Sequence, residues 1–204
     1  MESIRGYGEQ RRKALRGIVY LSLVALFLLS FHWGISQSLS SDVGRECVVG
    51  IAKSQIGVTE KPSNWGRDVS AYLRSVGIRF PAPWCGAYVY WCYMMYSCEI
   101  DYTALKLGYV PNWSRGQMAQ YVVWDKRTSD IKIQDFDFRP GDLCTIYFGS
   151  LKREAHIFMV VEKSNGQLIT IEGNTNDGGS RDGIGVFLRQ RSLSSVHKVI
   201  RLIN

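Results

Sequence analysis

The stretch His156-Ile157-Phe158-Met159-Val160-Val161-Glu162-Lys163-Ser164-Asn165-Gly166-Gln167-Leu168-Ile169-Thr170-Ile171-Glu172-Gly173-Asn174 reads as a β-hairpin. Two apolar runs, 156–162 and 168–172, flank the turn residues Ser164-Asn165-Gly166. Two registers compete. A two-residue Asn165-Gly166 turn sets Ser164 against Gln167 and His156 against Thr175. Its far end then mixes Ile157 with Asn174 on one face. A three-residue loop with Gly166 left-handed pairs Lys163 with Gln167 instead. That register sorts Ile157, Met159, Val161, Ile169 and Ile171 to one face. It sets His156 opposite Asn174 and Phe158 opposite Glu172. A sorted face specifies register, because a one-residue slip turns every side chain over. The second register is therefore expected, with His156, Glu172 and Asn174 gathered at one end of the hairpin.

Such a cluster has a chemical use. An imidazole acting as base needs one nitrogen free for the reacting group. A polar partner on the other nitrogen sets its tautomer and stabilises the imidazolium. Either Glu172 or Asn174 could be that partner. The matching nucleophile is found upstream in Pro83-Trp84-Cys85-Gly86-Ala87. After Pro81-Ala82-Pro83 the apolar run from Trp84 to Tyr96 has no turn signal, which predicts a fully buried helix over that run, with Cys85 near its start. A thiolate is favoured at a helix start, where unpaired N–H groups and the helix dipole stabilise negative charge. Of the three His, His32 lies near the N-terminus, and His197 has no polar cluster of this kind beside it and is read as a structural or surface histidine, so His156 is the candidate base.

Further outward, Val48, Val49, Ala52 and Ile56 follow helical spacing, with Gly57 ending that helix. Val69, Tyr72, Leu73 and Val76 form a second stripe, closed by Gly77. Residues 99–125 show no clear order, although 116–121 could be helical. From Pro140-Gly141-Asp142 onward the pattern turns to strands: 143–148, the hairpin, 185–188 and 196–203. Helices first and antiparallel strands afterwards predict an α+β domain, with N-terminal helices packed on an antiparallel sheet.

The chain has 204 residues, a net charge of +7, 46% hydrophobic and 21% charged residues, enough for one packed domain with an appendage. Several of the positive charges, Arg5, Arg11, Arg12, Lys13 and Arg16, precede the apolar run 18–31. No other basic cluster interleaves with aromatics, so no nucleic-acid partner is expected. A basic stretch before a short apolar run is the pattern of an export segment. Residues 1–36 are read as a signal peptide, with Gly34-Ile35-Ser36 as cleavage site, or as an N-terminal membrane anchor through residues 18–35. Residues 37–45 are read as a polar linker and 46–204 as the domain. The chain has five Cys (47, 85, 92, 98 and 144), an odd count that leaves at least one thiol unpaired. With Cys85 as that thiol, the other four are expected to be free and buried rather than bridged, since a domain of this size has core enough.

Several motifs carry a resemblance. They are Ile56-Gly57-Val58-Thr59-Glu60, Asn64-x-Gly66, Pro83-Trp84-Cys85-Gly86-Ala87, Arg139-Pro140-Gly141-Asp142, Ala155-His156-Ile157 and Glu172-Gly173-Asn174. In this order and spacing, over residues 46–204, the chain resembles the CHAP family of cysteine, histidine-dependent amidohydrolases/peptidases. The resemblance implies a papain-like fold with Cys85 as nucleophile and His156 as base, and Glu172 and Asn174 on the next strand. It also implies peptidoglycan peptide stems as substrate, cut as an amidase or an endopeptidase, in a periplasmic or cell-surface location. A monomer is expected. Trp84 and Asn64 are candidate substrate contacts, and the Cys85 N–H a candidate oxyanion donor. Gly86 departs from the family, where Ala is common, and is expected to let the helix pack closely. The Gly-rich loop 176–183 lacks the Asp spacing of an EF-hand, so no required metal or other cofactor is expected. The competing readings are an inert wall-binding domain of the same fold, and a thiol amidase or acyltransferase on a small molecule.

Overall fold

The computed structural model describes residues 41–96, 105–175 and 183–203. The chain divides after Val43, and the unit from Gly44 onward contains the residues of interest. Among the described residues no helix is long and apolar enough to cross a membrane. The expected export segment, 1–36, lies outside them.

Helix α1 covers residues 41–54, so residues 41–45 are helical rather than linker. Arg45 explains the difference. It is buried and donates from its guanidinium to the carbonyl of Ile203, a partner no local pattern could reveal. Val48, Val49 and Ala52 are buried as their spacing requires, whereas Ile56 falls in the following turn and is exposed. Helix α2, Arg67–Ser75, buries Val69, Tyr72 and Leu73. Gly77 ends it at a φ of 80°. Its N–H bonds the Arg74 carbonyl and that of Ile78 bonds Leu73, a double closure that needs a left-handed residue at this point.

Helix α3, Cys85–Tyr96, buries residues 85–90 without a break, so it has no solvent face in that half. One side packs on the sheet. The other meets the segment around Leu107 and Gly108. A Cβ at Gly86 would lie 2.6 Å from the Leu107 carbonyl oxygen, which accounts for glycine there. Beyond it, 3-10 helices Val110–Ser114 and Gly116–Tyr121 lead into β1, Val122–Asp125, a strand the sequence pattern did not indicate.

The remaining strands are β2 (Leu143–Phe148), β3 (Arg153–Ser164), β4 (Gln167–Thr175), β5 (Gly185–Ser192) and β6 (Lys198–Ile200). They form one sheet of order β1-β6-β2-β3-β4-β5, with every pairing antiparallel. The α+β class expected from the sequence is the one observed. One sheet face, with Leu143, Ile157, Met159 and Ile171, packs on the helices. The other buries Cys144, Phe158, Val160, Leu168 and Val199 under Trp124, Phe136, Leu193 and Val196.

The hairpin β3–β4 departs from the expected turn. Ser164 pairs with Gln167, and Asn165 and Gly166 both have positive φ (50° and 73°), so the turn has two residues. A β-bulge between Val160 and Glu162 then takes up one residue. Past it, Met159 faces Ile171, which is the register expected for the far half. The bulge, not a longer loop, reconciles the Asn-Gly turn with a sorted apolar face. The β3–β4 ladder ends at Met159 and Ile171, so His156 and Asn174 are not a cross-strand pair.

Candidate active site

Where β3 and β4 part, the start of α3 comes in. The Cys85 sulfur meets the His156 ring and the backbone of Ile157 and Gly86, whose N–H groups favour its thiolate. On the ring's far side, Nε2 lies 2.8 Å from Glu172 Oε2. With Nε2 so engaged, Nδ1 is the nitrogen left for the thiol. Glu172 is fully buried and takes three further hydrogen bonds. Thr170 Oγ1 donates to Oε1 at 2.7 Å, Arg191 Nε donates to Oε1 at 2.7 Å, and Arg191 Nη2 donates to Oε2.

The electrostatics follow from these contacts. Burial raises the Glu172 pKa, but the bonds and charges of Arg191 and His156 outweigh it and hold the carboxyl at about 2. Burial disfavours a charged His156, yet its bonds to Cys85 and Glu172 push it up to about 9. Burial also raises Cys85, and His156 with the Ile157 and Gly86 N–H groups brings it below its ordinary value. Cys92, on the same helix and just as enclosed, is a useful contrast. Burial there pushes the thiol up to about 12. What Cys85 has and Cys92 lacks is the imidazole together with the Ile157 and Gly86 N–H groups. Cys85 and His156 thus favour the thiolate–imidazolium pair, the reactive form of such a couple.

Each residue of Glu172-Gly173-Asn174 has a separate task. Glu172 orients the imidazole. A Cβ at Gly173 would stand 2.6 Å from Tyr88 Cγ and 2.8 Å from Trp84 Cζ3, so only glycine lets α3 approach β4 this closely. Asn174, at a φ of 54°, turns its amide so that Oδ1 accepts from the Trp84 N–H (3.0 Å) and Nδ2 donates to the Gly183 carbonyl (3.1 Å). It therefore anchors the residue before Cys85 and does not touch His156. Of the two orienting candidates, Glu172 fills the role.

Two expected substrate contacts are not supported. Trp84 is wholly buried, stacks near Tyr72 and Tyr88, and donates Nε1–H to Glu60 Oε2 at 2.8 Å. An indole so enclosed is part of the core. Asn64 occupies the turn after Lys61, at a φ of 56°, and its amide reaches only Ser63 Oγ at 3.4 Å. Its left-handed backbone explains Asn there without a ligand. Neither residue lines the cavity of about 370 Å³ on which Cys85 opens.

His197 takes the structural of the two readings open to it. It is buried, and Nδ1 lies 3.1 Å from Glu154 Oε1. Lys198 Nζ shares that carboxylate at 3.2 Å. Burial lowers the His197 pKa, and Glu154 does not reverse this. The pair joins the residue before β6 to the start of β3. Cys47, Cys85, Cys92 and Cys144 are free, but Cys47 is exposed rather than buried. Cys98 and most of the loop 176–183 lie outside the described residues.

Arg191, which lies on β5 opposite Leu168, is a site residue absent from the sequence-based expectations. Its signal was faint: an Arg at an alternate position of a strand whose neighbours are polar. No protein-family model, no curated protein and no solved structure gives a significant match to this chain.

Proposed function

We propose that the unit from Gly44 onward is an exported cysteine amidohydrolase with a papain-like arrangement, acting on amide bonds of peptidoglycan stems. The observation that carries this reading is the Cys85 thiol, lowered in a buried setting, beside an imidazole hydrogen-bonded to an ionised Glu172. The order of the CHAP-like motifs supports the cell wall as the site of action. So do the basic-then-apolar N-terminus, which supports export, and the positive net charge that remains beyond that segment, which favours anionic wall polymers.

In the proposed reaction the Cys85 thiolate attacks the scissile carbonyl carbon. Cys85 is the first residue of α3, where helix geometry leaves the backbone N–H without an intrahelical acceptor. That N–H is the proposed donor to the oxyanion. The His156 imidazolium then protonates the leaving amine as the C–N bond breaks, leaving an acyl-thioester on Cys85. Neutral His156 next takes a proton from water, whose oxygen displaces the sulfur and restores the thiolate. Glu172 keeps the ring oriented and the imidazolium stable throughout.

The test is mass spectrometry of muropeptides from purified sacculi treated with the wild-type chain and with Cys85→Ala. New amine and carboxyl ends are expected with the wild type alone. Release of the same ends by Cys85→Ala would sink the mechanism. Binding to sacculi without cleavage by the wild type would favour the inert wall-binding reading.

A further inference from the structure

The cavity beside Cys85 has apolar walls of Ile78, Ala82, Pro83, Val110 and Ala155. Arg153 is the one charged residue among those that line it. The start of β3 places it three residues before His156, on the same rim as the reacting thiol. Its guanidinium carbon lies 5.0 Å from the centre of the Tyr109 ring, and Nη1 donates to the Glu154 carbonyl at 3.0 Å. Those two contacts hold the plane of the group in place. They leave most of its N–H donors unspent, and among the described residues no carboxylate pairs with it.

That distinguishes Arg153 from other arginines near the sheet. Arg191 is taken up by Glu172 and Arg201 by Asp142, each through two nitrogens. A pre-oriented guanidinium with free donors, set against apolar walls, matches a carboxylate in shape and charge. Apolar walls also strengthen the attraction by excluding water.

We propose that this cavity is a carboxylate subsite, in which Arg153 binds a free carboxylate of the substrate beside the scissile amide. The inference rests on the proposed reading of Cys85 as an amide-cleaving nucleophile, and it narrows the substrate class. Peptides that keep a free carboxylate next to the scissile bond are taken, and those with that group amidated are discriminated against.

The subsite can be tested without relying on cleavage. Alkylation of Cys85 by iodoacetate, which is anionic, is compared with alkylation by neutral iodoacetamide, resolved by site with mass spectrometry. The exposed Cys47 serves as internal reference. Arg153→Gln is expected to lower the iodoacetate-to-iodoacetamide rate ratio at Cys85 about tenfold, while Arg153→Lys keeps part of it. The ratio at Cys47 should not change. In parallel, the wild type is given a stem peptide with its isoglutamate carboxylate free and the same peptide amidated. A higher kcat/KM for the free form, lost in Arg153→Gln, is the expected result. An unchanged ratio at Cys85 in folded Arg153→Gln would overturn the subsite, whatever the cleavage result. Equal cleavage of both peptides would overturn it as a determinant of specificity. A fallen ratio with neither peptide cut would leave the anionic subsite standing and count against the peptidoglycan reading.

Discussion

Replacing Glu172 with Gln keeps the shape of the side chain and removes its charge. The carboxylate is fully buried, and His156, Thr170 and Arg191 all converge on it. The move of His156 from 6.5 to about 9 amounts to ~3 kcal/mol of preference for the imidazolium. Cys85 and Glu172 share that effect. If each supplies about half, Glu172→Gln lowers the His156 pKa by roughly one unit. The orientation of the ring is weakened as well, since an amide NH2 can face Nε2 instead of an acceptor. Together these effects should reduce kcat by about 10²- to 10³-fold. Stability falls too, because Arg191 loses its partner. Loss of one member of a buried pair costs about 3–5 kcal/mol. The Arg191 side chain is 15% exposed and can turn toward water, so about 2 kcal/mol is the better expectation. The assay is the pH dependence of kcat on a soluble stem peptide, below the melting range of both proteins. The wild type should lose activity as pH rises through about 9, when the imidazolium deprotonates. In Glu172→Gln that alkaline limb should move down. A limb that stays in place, with kcat within about twofold of wild type, would refute the role given to Glu172.

Three further outcomes are expected. Asn174→Gly keeps the positive φ available and removes the amide's two bonds, to the Trp84 N–H and to the Gly183 carbonyl. It should lower kcat about tenfold without moving the alkaline limb, and a limb that shifts as in Glu172→Gln would make Asn174 the orienting group. Gly86→Ala pushes a methyl against the Leu107 carbonyl and should cost about 1–3 kcal/mol in denaturant unfolding; an unchanged midpoint would contradict the packing of α3. Arg191→Met concerns acid stability. The Glu172 pKa is depressed, so the stability it contributes is present above its unfolded value near 4.5 and is lost as pH falls toward about 2. Removing the Arg191 cation raises that pKa, so acid unfolding should begin at higher pH than in the wild type; an onset that does not move would count against the Arg191–Glu172 pairing.

The parts of the site readable in the sequence were those set by local periodicity. A buried helix with Cys85 near its start and a hairpin with its apolar residues on one face are both written in neighbouring residues. The far register of β3 and β4 followed from sorting Ile157, Met159 and Ile171, even though the turn assumed for it was wrong. The turn obeyed Asn165-Gly166, the apolar face obeyed burial, and the bulge near Val161 satisfied both. What could not be read depends on partners distant in the chain. Arg191 meets Glu172 across the β4–β5 pair, His197 meets Glu154 from the other end of the sheet, and Arg45 reaches Ile203. Trp84 illustrates a different limit. An aromatic next to a nucleophile suggests a groove, but its Nε1–H is satisfied by Glu60 and its ring by Tyr72 and Tyr88, so it belongs to the core. Asn174 was expected beside His156, yet its bonds run to the backbone of Trp84 and Gly183.

The most direct test of the central claim, that Cys85 stands as a thiolate paired with the His156 imidazolium, is the pH dependence of Cys85 alkylation by iodoacetamide. Cys47 on the same chain reports an exposed thiol. Cys85 is expected to react as a thiolate below the ordinary thiol range of about 8.5, and His156→Gln is expected to remove that advantage. A Cys85 rate that rises only through about pH 8.5 or above, with or without His156, would contradict the account.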